Sequence, residues 1–210
     1  MKLHERCIAG IDIDTGRWIR PVCDSLYPED GRVPEQVRLI ENKEPELLDI
    51  LEIPLSDTGN DFGIENENLS VLPGSWRFLG KAQANEVLQY CRNTSYILHN
   101  SWKYVTVPYL QSLPFDKRSS LQLVRAVQLS IKQRTTAQGT TKWRGSIQTI
   151  NGNRLVDASI TDAIFVQKLE AGYQPRNNCL VTVSLSVPYR PDDWDGEDPC
   201  WKLIAGVIEL

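Results

Sequence analysis

Apolar and polar positions alternate most regularly between residues 121 and 150. Leu121, Leu123, Ala126, Leu129 and Ile131 form one row, with a register slip expected at Val124. Gln122, Arg125, Gln128, Ser130 and Lys132 fill the other side. A period of two over this length predicts a half-buried strand from Leu121 to Lys132. The polar stretch QRTTAQGTT follows, with Gly139 where a turn needs positive φ, and then a second strand from Lys142 to Ile150. Asn151-Gly152-Asn153 predicts a hairpin turn, because Asn-Gly readily supplies two positive φ values. A third strand runs from Arg154 to Ile160. Thr161 or Asp162 caps a helix from Ala163 to Ala171 that buries Ile164, Phe165 and Leu169, and Gly172 ends it. Asn178 to Val187 makes strand four, and Trp201 to Leu210 makes strand five.

The first half is less regular. Arg6 to Ile13 and Arg17 to Val22 predict a hairpin across Asp14-Thr15-Gly16. Pro21 places the end of the second strand at an edge or bend. Val37 to Ile40 reads as a short strand, and Leu47 to Leu55 as a firmer one. The acidic stretch SDTGNDFGIENENLS reads as a solvated loop without the ligand spacing of a calcium site. Ala82 to Arg92 is a helix by the spacing of Ala84, Val87, Leu88 and Cys91, and a strand lies near Tyr104, Val105 and Val107. Three meandering strands, a helix and two more strands is the order of a five-stranded oligonucleotide/oligosaccharide-binding (OB) barrel. The fold class is mainly β with short helices. The expected domains are an N-terminal one over residues 1–114, with long loop inserts, and an OB domain over residues 115–210.

Composition changes this picture in one place. The 210-residue chain carries a net charge of −4, yet eight bases and one acid, Asp116, lie between Phe115 and Arg154. That segment is +7 and the remainder −11. A local basic stripe attracts phosphate even on an acidic protein, because fields fall off within about 8 Å at physiological salt. The five cysteines are odd in number and lack zinc-knuckle spacing. MKLHERC is no signal peptide, and no apolar run is long enough to span a membrane. A cytoplasmic protein is expected.

OB barrels bind oligomers on the face of strands two and three, with the loops joining strands one to two and four to five as jaws. The candidate nucleic-acid contacts are therefore Arg125, Lys132, Arg134, Lys142, Trp143, Arg144 and Arg154, with single-stranded RNA or DNA as partner. Trp143 either stacks a base or, if Gly145 and Ile147 face inward, joins the core. The second jaw carries Asp192, Asp193, Asp195, Glu197 and Asp198 against Arg190. It repels phosphate and offers Trp194, with Asp193 and Asp195, to a protein partner, or is tucked against the barrel by Trp194. Arg17, Trp18 and Arg20 form either a structural cation–indole stack or a nucleotide site. His4 and His99 stand beside no recognisable nucleophile, and no P-loop, dinucleotide fingerprint or paired-histidine metal motif occurs. No catalytic residue, metal or cofactor is expected. An active-site cleft between two barrels is a third reading.

RCIAGIDIDTGRWIRPV, NRLVDASITD and CWKLIAGVIEL resemble the dual-OB-domain family, a group of mostly bacterial proteins of about this length. The resemblance implies two tandem OB folds. It further implies a nucleic-acid-binding or adaptor component, in the setting of prokaryotic defence or RNA repair. It carries over no catalytic residue.

Overall fold

The computed structural model describes residues 5–92, 94–135, 139 and 141–210. His4 and residues 136–138 and 140 of the polar loop lie outside that set. The chain divides into two compact units: Met1–Gln83 with Pro114–Ser119, and Ala84–Leu113 with Ser120–Leu210. Residues 84–113, which precede the expected boundary, cluster with the second unit, where their one strand pairs with the last strand of the chain.

The first unit holds β1 (Glu5–Arg6), β2 (Gly10–Ile11), β3 (Trp18–Val22), β4 (Val33–Pro34), the single-turn helix α1 (Glu35–Arg38), β5 (Asp49–Glu52), β6 (Asn68–Ser70) and β7 (Arg77–Lys81). The strand expected over residues 6–13 is two strands, because β1 pairs with β4 while β2 pairs with β3. The hairpin turn is held by Asp12, whose carboxylate accepts from Asp14 N at 2.9 Å and Thr15 Oγ1 at 2.7 Å. The core gathers on Cys23, Val33 and Trp76, with Tyr27, Leu51 and Val71 around them.

Two expectations for this unit fail for the same reason, a buried charge whose partner lies outside its own element. Residues 37–40 are not a strand. The helical turn carries Arg38, 1% exposed, onto Val33 O at 2.9 Å and onto both carboxylate oxygens of Glu44 at 2.7 Å. Nor is the acidic stretch wholly solvated. β6 runs parallel to β3, with Arg20 opposite Asn68, and draws Glu65 and Glu67 under cover. Arg20 lies 3.4 Å from Glu65 and 3.6 Å from Glu67.

The second unit opens with α2 (Ala84–Val87), extended by a 3₁₀ turn at Leu88–Tyr90, so the helix expected to Arg92 stops short. β8 (Tyr104–Thr106) and α3 (Val107–Ser112) follow. The five predicted barrel strands are β9 (Leu121–Thr135), β10 (Thr141–Thr149), β11 (Arg154–Ile160), β12 (Cys179–Leu185) and β13 (Pro199–Glu209), with helix α4 (Ala163–Glu170) between β11 and β12. β9 pairs antiparallel with both β10 and β12, and β12 with β13. A short parallel seam, Ser159 to Leu203 and Ile160 to Ile204, joins β11 to β13 and closes the five-strand barrel. β8 adds to the outer edge of β13.

Local chemistry explains the barrel's joints. Asp162 caps α4 by accepting from Phe165 N at 2.9 Å. Gly172, at φ +85°, closes it in a Schellman motif: Gly172 N donates to Leu169 O and Tyr173 N to Lys168 O, both at 3.0 Å. Phe165 and Leu169, one turn apart, are the buried side; Ile164 sits on the flank and is 52% exposed, contrary to expectation. The β10–β11 turn uses one positive φ, at Gly152, rather than two, giving a type I turn with a bulge. The irregularity in β9 falls at Val127, not Val124, because Thr149 faces Ala126 while Gln148 faces Gln128. Inside the barrel a Cβ on Gly145 would come within 2.5 Å of Ile204 Cδ1, so glycine leaves room for the isoleucines beneath the seam.

Candidate nucleic-acid interface

Alternation assigns the two faces of the first three barrel strands. Gly145, Ile147 and Thr149 are buried, as are Leu129, Leu155, Ala158 and Ile160. The residues between them form the outer face. Lys132 stands opposite Arg144 and Lys142 opposite Arg134 across β9 and β10, and Arg144 stands opposite Ser159 on β11. Gln128, Gln148 and Arg154 continue the face toward the other end of the strands.

The centre of this surface is a residue that the charge reading passed over. Asp157 lies three positions beyond Arg154, just outside the basic segment. It sits at a bulge opposite Ser146, with φ +57° and its N–H donating to Ser146 Oγ at 3.0 Å. Its carboxylate meets Lys132 Nζ at 3.0 Å, Arg134 Nη1 at 3.3 Å and Arg144 Nη2 at 3.4 Å. Arg144 also donates to Asp157 O and to Ser159 Oγ. Burial pushes the Asp157 carboxyl upward, but the Lys132 hydrogen bond and the Arg144 and Lys132 charges outweigh it and hold the group below its ordinary range. Three cations from two strands thus converge on one carboxylate on a third. Lys142 and Arg154 are exposed on the same face.

The other sequence candidates lie elsewhere. Trp143 pairs with Gln133 on the inward side, half-buried, and its Nε1 is buried without a hydrogen-bond partner among the described residues. Its ring is not part of the outer face. Arg125 is half-buried and lines a small cleft with Arg92, Thr94, Gln122, Asn151 and Asn153. Trp194 is packed inward: its Nε1 donates to Glu197 O at 2.9 Å, and its ring lies 4.9 Å from Tyr104 and 5.4 Å from Trp201. Asp193 and Asp195 remain exposed. Arg20 is committed to Glu65 and Glu67, whereas Arg17 is exposed and Trp18 half-buried. Among the described residues, the cation seen over an indole is Lys103, 5.3 Å from the Trp201 ring.

Lys202 also escaped the sequence reading. It is 2% exposed in β13, and its Nζ donates to Ile97 O at 2.5 Å, Asn100 O at 2.6 Å and Asn100 Oδ1 at 3.0 Å. Burial pulls its pKa down to about 7. Among the described residues, no three histidine, cysteine or acidic side chains are grouped to hold a metal ion. Among them, too, no helix is long and apolar enough to cross a membrane.

The strand order, the helix between the third and fourth barrel strands and the parallel closing seam define an OB fold. A family model for the dual OB-containing domain matches residues 1–207, and the chain belongs to that family. No curated protein and no solved structure matches it.

Proposed function

We propose that the outer face of β9, β10 and β11 binds single-stranded RNA or DNA, chiefly through backbone phosphates, and that the protein is a non-catalytic binding component. The observation that carries this reading is the convergence of Lys132, Arg134 and Arg144, with Lys142 and Arg154 beside them, on the barrel face where OB folds take oligomers. Membership of a dual-OB family supports it, since OB domains commonly bind nucleic acid. With Trp143 turned inward, phosphate contacts rather than base stacking supply the affinity, so binding is sequence-tolerant and salt-sensitive. A cytoplasmic setting and a role in prokaryotic defence or RNA repair belong to the same proposal.

Fluorescence anisotropy of labelled single strands tests it. Five cations less one carboxylate leave four effective charges, and at roughly 0.7 per charge the slope of log K against log salt is about −2.8. Affinity then falls about fiftyfold between about 50 and 200 mM salt. Changing Lys132, Arg134, Lys142 and Arg144 together to Ala abolishes binding and leaves the fold intact. Full-strength binding by that variant excludes this surface. A protein-docking role for the loop 187–198 would rest on its exposed acids, Asp193 and Asp195, because Trp194 is occupied by Glu197 O, Tyr104 and Trp201.

A further inference from the structure

The geometry points to Asp157 as a resident stand-in for a ligand phosphate: it holds the cations of the face in place when the face is empty and competes with the incoming strand. This inference rests on the nucleic-acid reading above and names how that site is regulated. Three observations carry it. First, Lys132, Arg134 and Arg144 reach the carboxylate within 3.0–3.4 Å, the way basic side chains grip a backbone phosphate. Second, Asp157 is the one acid in β9, β10 and β11 among the described residues, on a face rich in Lys, Arg, Ser and Gln. Third, it reaches that point only because β11 bulges there into a left-handed conformation, φ +57°, which aspartate and asparagine tolerate better than most residues. A regular strand would need no such residue. The bulge spends backbone strain to aim one carboxylate among three cations.

An ion pair of this kind has two effects. It keeps long side chains from dispersing into solvent, so the site is ordered before ligand arrives. It also lowers the positive potential that draws phosphate in. An incoming strand must take the cations from Asp157, which then turns from their partner into a repulsive neighbour. Removing the charge should therefore tighten binding, even though it deletes three ion pairs.

Asp157→Asn keeps the shape and suits the left-handed conformation. Asp157→Gly, equally at home at positive φ, serves as an independent second variant should the asparagine amide distort the cluster. Each is titrated, alongside the unaltered protein, with the same labelled single-stranded RNA and DNA over a salt series, after thermal unfolding has shown a native-like transition. One more effective charge steepens the salt slope by about 0.7, which at 0.1 M salt is about fivefold tighter binding. Tighter binding with the steeper slope in both variants is the expected result. If the unaltered protein binds and both variants bind equally or more weakly, the placeholder role is wrong and the nucleic-acid reading stands. If neither the unaltered protein nor either variant binds at low salt, the nucleic-acid reading falls and this inference falls with it.

Discussion

Replacing Lys202 by Met gives the sharpest test of the reasoning about this barrel. The lysine is almost wholly enclosed, and its three donors meet three oxygens of the 97–100 segment. Enclosure lowers its pKa from an ordinary 10.5 to about 7. The unfolded chain keeps the proton to about pH 10.4, whereas the folded chain begins to lose it near pH 7. Between those values the unfolded state binds more protons, so stability rises with pH. From pH 7 to pH 9 the gain is about 2 kcal/mol, at roughly 1.36 kcal/mol per unit with half-titration at the start. Methionine removes the titrating group and leaves two carbonyls and one amide oxygen without their donor, at about 1–3 kcal/mol for each that stays buried. The stability gap between wild type and Lys202→Met should therefore widen by about 2 kcal/mol in favour of wild type across that range, or about 4–8 °C in Tm. Urea unfolding at both pH values, followed by tryptophan fluorescence, measures it. Trp102, Trp143, Trp194 and Trp201 lie in the second unit. Other groups titrate in both proteins and cancel in the difference. Parallel curves would refute the argument, because they would mean that the three oxygens fully offset the burial and Lys202 keeps its ordinary pKa.

Three further outcomes follow from the packing. Arg20→Met leaves Glu65 and Glu67 enclosed without their cation and should cost about 3–5 kcal/mol in the first unit, read by urea unfolding at pH 7. Gly145→Val drives a side chain into Ile204 and should destabilise the barrel by about 1–3 kcal/mol, with Ile204→Ala in the same chain restoring part of the loss. Asp162→Ala removes the α4 cap and the acceptor of Val207 N at 3.2 Å, and should cost about 1–2 kcal/mol in the same assay.

The barrel was legible because its signals are local. The alternating rows of β9 and β10, the Asp162 cap, Gly172 and the Asn-Gly turn each act within a few residues, and each lies where the pattern put it. Bulges are less readable. Val127 and Asp157 owe their places to the strands beside them, and a charge count that stopped at Arg154 missed the carboxylate that organises the cluster. Arg20, Arg38 and Lys202 were misread or passed over for a related reason. A basic side chain in an alternating run looks like a solvent-facing position, and only a segment folded over it from elsewhere reveals that it is buried. The outward orientation of Lys132, Lys142 and Arg144 follows from parity alone, and so does the inward turn of Trp143 once Gly145 and Ile147 are assigned to the core.

The seam between β11 and β13 has a kinetic consequence. It consists of two residue pairs, Ser159 with Leu203 and Ile160 with Ile204, whereas every other junction of the barrel is longer. Its strands are joined through α4 and all of β12. With the fewest pairs, it is the junction with least backbone pairing to hold it closed. A molecule breathing at this point presents two bare strand edges, and at high concentration each can pair with the matching edge of another copy. The glycine beneath lets Ile204 and Ile160 fill the space under the seam, and that packing opposes such an opening.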